Sequence, residues 1–122
     1  MAIVKEAYRA LEAVVGARYL SDDPAICEGY RSGPGGYENG TGYERVMTRI
    51  PGAVIMPRTT EEVQKIVKIC LRYMVPYLPY STGFYGPRSH PHIDDALLVD
   101  LKRLNDAHKA ELEALQGQLA AQ

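Results

Sequence analysis

The chain has 122 residues with 14 basic and 15 acidic side chains, giving a formal net charge of −1. This balance excludes the basic field that would recruit nucleic acid or an anionic membrane surface. Hydrophobic residues make up 46% and charged residues 24% of the sequence, which favours a globular domain over disorder. The length suits one small domain without a separate substrate domain, so we expect any catalysis to need a partner chain.

Residues 1–30 are expected to form a helical lead-in. Apolar residues recur at helical spacing over residues 4–15, and Gly16 follows where a C-terminal cap would sit. Charged residues interrupt this stretch, so it predicts neither a signal peptide nor a membrane span, and we expect a cytoplasmic protein. Residues 21–24 indicate a turn or a helix start, and Cys27 follows in a loop-like stretch.

Residues 31–51 are expected to form a glycine-rich loop on the surface. Its segment GPGGYENGTG holds five of the eleven glycines. Glycine-rich loops sometimes cradle phosphate, but no strand precedes this one and no helical pattern follows it, so a plain surface loop is favoured. Because the chain has only two cysteines, Cys27 and Cys70, we do not expect a disulfide framework.

Residues 52–105 contain the most legible pattern, a strand, a helix and a second strand. The apolar run at residues 53–56 predicts a buried strand that Pro57 ends. Thr59 and Glu62 have the spacing of a capping box, and apolar residues continue at helical spacing to Met74. Residues 75–79 predict a second strand, so the unit should form a right-handed crossover and a parallel pair.

A third strand is predicted at residues 96–100, and residues 106–122 are expected to form a C-terminal helix capped by Asn105 or Asp106. The fold class is therefore α/β (α+β): one domain over residues 1–122, built on a small parallel βαβ unit with an N-terminal and a C-terminal helix. The side chains on one side of the last helix are Leu104, His108, Leu112, Leu115 and Leu119.

The stretch PGAVIMPRTTEEVQKIVKICLRYMVPYLPYSTGFYG, followed by ALLVDLKRLN, closely resembles the start of a known flavin domain. It is similar to the FAD-binding (PCMH-type) domain of the vanillyl alcohol oxidase, p-cresol methylhydroxylase and glycolate oxidase family. In that family an A-V-x-x-P-R strand, a T-x-E-E-V helix, a V-P strand, a glycine-containing phosphate loop and a D-L-x-x-L/M-N strand follow in this order. The resemblance runs from about residue 52 to residue 105.

The resemblance implies a cofactor-binding loop after the second strand. Its residues would hold the FAD pyrophosphate, with Pro57 ending the neighbouring strand beside them. The carboxyl ends of parallel strands are where α/β sheets place ligands, and hydroxyl groups and glycines suit a diphosphate. A mere tight turn is the alternative interpretation. The implied cofactor-binding residues are Pro57, Tyr80, Ser81, Thr82, Gly83, Phe84, Tyr85 and Gly86.

The family's remaining strands, second subdomain and substrate-cap domain have no counterpart in these 122 residues, so the chain resembles a truncated N-terminal part. The resemblance implies a small subunit or partial domain of an FAD-dependent oxidoreductase, not catalytic alone. FAD would then be bound together with another protein chain, either a larger flavoprotein subunit or a second copy. The alternative is a non-catalytic interaction or regulatory module that docks on a larger enzyme without flavin.

Other polar clusters indicate no further chemistry. His90 and His92, with Asp94 and Asp95, could be imagined as a metal site, but short polar clusters in proline-containing loops more often belong to plain surface. His108 has no second ligand at helical spacing and is expected to be solvated. No catalytic residue and no metal ligand is therefore assigned.

Overall fold

A four-stranded sheet forms the centre of the molecule, whose structure, a computed structural model, describes residues 3–30, 49–81 and 93–121. The strands are β1 (Leu20–Ser21), β2 (Ala53–Ile55), β3 (Tyr77–Tyr80) and β4 (Leu97–Asp100), and their order in the sheet is β1-β2-β4-β3. β2, β4 and β3 run parallel, whereas β1 pairs antiparallel with β2. The predicted α/β class with a small parallel unit is confirmed.

The helices are α1 (Lys5–Val15), α2 (Pro24–Glu28), α3 (Thr60–Tyr73) and α4 (Lys102–Ala120), with a short 3₁₀ turn at Ala17–Tyr19. The predicted helices at residues 4–15 and 60–74 are confirmed. Thr59 caps α3 by accepting a hydrogen bond from the Glu62 N–H at 3.1 Å, and the Glu62 carboxylate accepts from the Arg58 N–H at 2.6 Å. Gly16 ends α1 with a positive φ of 88°, which glycine adopts freely because it has no Cβ.

Apolar residues cover both faces of the sheet. Alternate residues of a strand point to opposite faces, so β2 and β4 divide their side chains between two layers. On one face, Ile55, Leu97 and Val99 pack with side chains of α1 and α3, including Leu11 and Ile66. The smaller cluster on the other face consists of Cys27, Val54 and Leu98, with Tyr30 and Tyr80 packed against it.

The predicted direct pairing of the strands on either side of α3 is wrong, because β4 lies between them. Val54 of β2 and Leu78 of β3 both pair with Leu98 of β4. All four residues of β4 are buried, as a central strand requires. β3 carries Pro79, which cannot donate a ladder hydrogen bond, and prolines belong on edge strands or at strand ends.

The lead-in and the last helix differ from their predictions in detail. Residues 1–30 include the strand β1, and Cys27 lies buried in α2 instead of a loop. α4 begins at Lys102, before the predicted caps Asn105 and Asp106, because the Asp100 carboxylate already accepts the Lys102 N–H at 2.9 Å. Both cysteines are free thiols.

Two further expectations concern the loop and the membrane. The predicted glycine-rich loop falls almost entirely outside the described residues. Among the helices of the described ranges, none is long and apolar enough to cross a membrane.

Candidate functional site

The candidate site lies at the carboxyl-terminal ends of the three parallel strands, a side of the sheet that we call its carboxyl edge. β2 leads there into the buried Pro57, and β3 ends at Tyr80, which is followed by the exposed Ser81. Tyr80 is paired in register with Asp100, and its carbonyl accepts the Leu101 N–H at 2.8 Å. The structure therefore brings the three described members of the predicted cofactor set, Pro57, Tyr80 and Ser81, to one edge.

The other predicted cofactor residues follow Ser81 directly in the chain. These residues are Thr82, Gly83, Phe84, Tyr85 and Gly86, and they lie outside the described residues, so their binding role stays a prediction.

A buried carboxylate organises this edge, and sequence reasoning missed it. Asp100 is 0% exposed at the end of the apolar strand β4. Its Oδ2 accepts a hydrogen bond from the Tyr30 hydroxyl at 2.5 Å, and its Oδ1 accepts the Lys102 N–H at 2.9 Å. A buried charge needs such partners, because leaving it unpaired costs several kcal/mol. The sequence feature that could have revealed it is an aspartate at the end of an apolar run.

Two tyrosine rings complete the cluster around this carboxylate. The rings of Tyr30 and Tyr80 meet edge to face with 5.1 Å between centroids. Burial, the hydrogen bond to Asp100 and its charge raise the pKa of Tyr30 well above its ordinary value. Burial, followed by the charge of Asp100, also raises the pKa of Tyr80. Both phenols therefore stay protonated at neutral pH, and Tyr30 remains a donor.

Arg103 connects the start of α4 to the end of β2. Its guanidinium donates from Nη1 to the Met56 carbonyl at 3.0 Å and lies 3.5 Å from the centroid of the Tyr19 ring. This combination of a hydrogen bond and a cation–π contact fixes the helix against the sheet edge. Two exposed cationic residues, Arg58 and Lys102, follow β2 and β4 at the same edge.

One cavity lies at the opposite end of the parallel strands, and a second lies next to the candidate site. A cleft of about 240 Å³ lies at the opposite edge, where Val75 and Pro76 precede β3 and Asp95 precedes β4. An open groove of about 690 Å³ separates the first turn of α3 from the middle of α4 and is lined by residues 58–62 together with Ala107, His108, Ala110 and Glu111.

The described residues do not support the metal site considered around His90 and His92. His90 and His92 lie outside the described ranges, and Asp94 forms an exposed ion pair with Arg49 at 3.5 Å. Across residues 3–30, 49–81 and 93–121, no group of three or more potential metal ligands occurs. His108 is exposed, as expected.

A family model described as "FAD binding domain" matches residues 51–121, which is more than half of the chain. The chain belongs to this family of FAD-binding domains. The match includes the whole parallel unit and the edge at which Ser81 lies. It confirms the resemblance to FAD-linked oxidases and supports FAD as the cofactor of the domain.

Curated relatives are dehydrogenases many times longer than this chain. A quinone-dependent D-lactate dehydrogenase of Haemophilus influenzae is 31% identical over 107 aligned positions, which cover 84% of this chain and 17% of that protein. A mitochondrial D-lactate dehydrogenase [cytochrome] of Arabidopsis thaliana is 40% identical over 62 aligned positions, which cover 46% of this chain and 11% of that protein. The predicted cytoplasmic location stays a prediction.

Solved structures share the fold. The 4-ethylphenol oxidase from Gulosibacter chungangensis superposes with a TM-score of 0.62 at 28% identity, over 80% of this chain and 18% of that one. An alkyldihydroxyacetonephosphate synthase superposes with a TM-score of 0.68 at 22% identity, over 82% of this chain and 21% of that one. At such low identity the synthase supports the fold alone.

The chemistry of the described edge fits an anionic diphosphate. Ser81 offers an exposed hydroxyl, and Arg58 and Lys102 place positive charge at the same edge. Asp100 has no exposed carboxylate oxygen that would repel a bound anion, because it is buried and both its oxygens accept hydrogen bonds. FAD carries the kind of negative charge that hydroxyl groups, cations and backbone N–H groups bind.

Proposed function

We propose that this chain contributes the loop that holds the FAD diphosphate in a flavin-dependent oxidoreductase, and that another protein chain supplies the rest of the flavin and substrate sites. The observation that carries the proposal is the position of Ser81. It opens the YSTGFYG segment at the carboxyl edge of three parallel strands, inside the region matched by the FAD-binding family. α/β sheets bind their ligands at this edge.

The proposed cofactor-binding residues would contact a diphosphate through side-chain hydroxyl groups and through backbone N–H groups. Hydroxyl groups of Ser81 and Thr82 would donate hydrogen bonds to phosphate oxygens, and glycines at 83 and 86 would let backbone N–H groups approach closely. When bound, FAD supplies the hydride-transfer chemistry of the oxidoreductase. Asp100 and Tyr30 hold Tyr80 in place. The full set is Pro57, Tyr80, Ser81, Thr82, Gly83, Phe84, Tyr85 and Gly86.

The domain is proposed to serve the cofactor and not to select the substrate. The similar proteins are named after D-lactate, 4-ethylphenol and alkyldihydroxyacetonephosphate, which are chemically different compounds. What they share with this chain is one sheet and its ligand edge, so the substrate is selected elsewhere. The purified chain alone should therefore neither hold FAD tightly nor oxidise alcohols. Stoichiometric FAD on the isolated monomer would contradict the need for a partner.

A titration of the full chain followed by amide NMR tests the loop directly. FAD should bind weakly and shift the amide signals of Ser81, Thr82 and Gly83. ADP shares the diphosphate and should shift the same signals, whereas riboflavin lacks phosphate and should not. If millimolar FAD and ADP leave these amides unmoved, the loop is not a diphosphate site.

A glycine substitution with a matched control separates the loop from general effects. Gly83→Val fills the space that a phosphate oxygen needs and should abolish the FAD-induced shifts without unfolding the sheet. Gly117→Val is the control, because a Cβ at Gly117 meets nothing within 4 Å. Gly117→Val should keep the shifts of the parent chain. Equal FAD binding by the Gly83→Val variant and the parent would remove Gly83 from the site.

A second candidate function is a non-catalytic module that docks on a larger enzyme without flavin. It is favoured by one observation: Leu112, Leu115 and Leu119 of α4 are 55%, 56% and 70% exposed. The two candidates differ in the composition of the purified complex. A complex with visible flavin absorbance in which this chain contacts the diphosphate supports the first candidate, and a colourless complex supports the second.

A further inference from the structure

Tyr30 lies outside the segment that the family model matches, yet its side chain is part of the carboxyl edge. The match covers residues 51–121. Tyr30 follows α2, and its backbone N–H donates to the Cys27 carbonyl at 3.0 Å. Cys27 is 2% exposed and packs with Val54 and Leu98 of the sheet, so the end of α2 is fixed against the strands. The position of Tyr30 is therefore set by its own segment as well as by the edge.

The hydroxyl of Tyr30 acts on the edge through Asp100. It donates to Oδ2 of a carboxylate that is 0% exposed, at 2.5 Å. The other oxygen of that carboxylate accepts the Lys102 N–H at 2.9 Å. Removing the hydroxyl would take one of these two donors from a buried charge, a costly change that the edge can relieve only by rearranging.

Asp100 in turn fixes the residue that precedes the proposed loop. Tyr80 pairs with Asp100 in register, and the Tyr80 carbonyl accepts the Leu101 N–H at 2.8 Å. Because a peptide bond is planar and trans, a fixed Tyr80 carbonyl also fixes the direction of the Ser81 N–H, which points the opposite way, away from β4. The Tyr30 ring meets the Tyr80 ring edge to face, with 5.1 Å between centroids. Both the backbone and the side chain at the start of the loop thus depend on the same buried carboxylate.

We propose that Tyr30 is a positioning residue for the FAD diphosphate. Through Asp100 it holds the peptide between Tyr80 and Ser81 in the orientation from which the loop binds the phosphate groups. This inference rests on the function proposed above. A loop that starts from a fixed peptide loses less conformational freedom on binding, so the complex retains more of the interaction energy. The cofactor site therefore extends into residues 1–30, and FAD binding and the contact between Tyr30 and Asp100 strengthen each other, since coupling is reciprocal.

An ADP titration of the full chain, followed by amide NMR, tests the positioning role. Tyr30→Phe keeps the ring and should raise the ADP dissociation constant by about fivefold or more, the lower end of the usual coupling between sites. Gly52→Ala is the control for a general loss of stability, because its Cβ would lie 3.0 Å from the backbone of Asp95 at the opposite end of the strands. It should change the constant by less than about twofold. Equal weakening by the two variants would show that Tyr30 acts only on stability and would overturn the inference.

A double variant shows whether the hydroxyl acts through Asp100. Asp100→Asn keeps the size of the side chain and removes its charge. If Tyr30 acts through this carboxylate, Tyr30→Phe adds nothing once the charge is gone, and the double variant should bind ADP as weakly as Asp100→Asn alone. Losses that multiply would show that the hydroxyl acts on the loop by another route, which would overturn the proposed one.

Amide hydrogen exchange of the ligand-free chain separates this inference from the proposed function. The Leu101 N–H, which donates to the Tyr80 carbonyl, should exchange about tenfold faster in Tyr30→Phe than in Gly52→Ala. Equal rates in the two variants would overturn the positioning role, whatever the chain binds. If exchange is faster as expected but millimolar ADP leaves the amides of the parent chain unmoved, the proposed function is wrong and the contact between Tyr30 and Asp100 serves the fold alone.

Discussion

The hydrogen bond between Tyr30 and Asp100 should be one of the strongest single contributions to stability at the ligand edge. It joins residues 70 positions apart, is 2.5 Å long, and ends on a carboxylate with no solvent exposure. Tyr30→Phe removes the hydroxyl but keeps the ring that packs on Tyr80. Because hydrogen bonds to charged groups contribute about 1.5–3 kcal/mol, the substitution should lower the free energy of unfolding by about that amount.

Urea denaturation followed by circular dichroism measures this loss. Tyr77→Phe is the matched control, because Tyr77 is an exposed tyrosine of β3, and its cost should stay within about 0.5 kcal/mol. Asp100→Asn alone and combined with Tyr30→Phe completes a double-mutant cycle that isolates the pair. If Tyr30→Phe costs no more than Tyr77→Phe, the buried carboxylate does not depend on Tyr30 and our account of the edge fails.

The same contact gives the chain a dependence on alkaline pH. The pKa of Tyr30 in the folded chain is raised above its ordinary value near 10. As pH rises through about 10, the unfolded chain loses this proton before the folded chain does, so the free energy of unfolding falls. The stabilisation is complete below that pH and is lost above it. The difference between the parent and Tyr30→Phe should shrink over this range, and a constant difference would contradict the assigned protonation.

Three further predictions concern other parts of the structure. Gly52→Ala should cost about 1–3 kcal/mol in urea denaturation, because its Cβ would lie 3.0 Å from the backbone of Asp95; a cost below 0.5 kcal/mol contradicts it. Burial raises the pKa of Cys27, and that of Cys70 to about 11, so both thiols should react slowly with a disulfide reagent until urea unfolds the chain; rapid reaction of folded protein refutes this. Arg103→Met keeps the apolar stem but loses the hydrogen bond and the cation–π contact, and should cost about 1–3 kcal/mol, whereas a neutral effect would show that neither contact stabilises the edge.

The elements that were predicted correctly from the sequence are those with local causes. The helix α3 has its cap in Thr59, its acids in the first turn and its apolar residues at helical spacing, so all its determinants lie within about fifteen positions. β2 and β4 are short apolar runs, and burial on both faces explains them without knowledge of their partners. The strand order was wrong because pairing joins distant segments, and only the prolines near β3 hinted that it lies at the edge of the parallel unit.

The candidate site likewise has one feature that the sequence predicts and another that it does not. Its place was predictable, because the carboxyl ends of parallel strands meet at one edge whatever residues follow them, and Ser81 lies there. The contacts that support the site were not predictable, because Tyr30 reaches Asp100 from residues 1–30, where the sequence showed only a helical pattern. The same carboxylate also contacts the start of α4, since one oxygen accepts the Tyr30 hydroxyl and the other accepts the N–H of Lys102, the first residue of the helix. A single buried aspartate thus couples the lead-in, the start of the proposed FAD loop and the origin of the exposed helix. Loss of its charge should therefore disturb all three segments together.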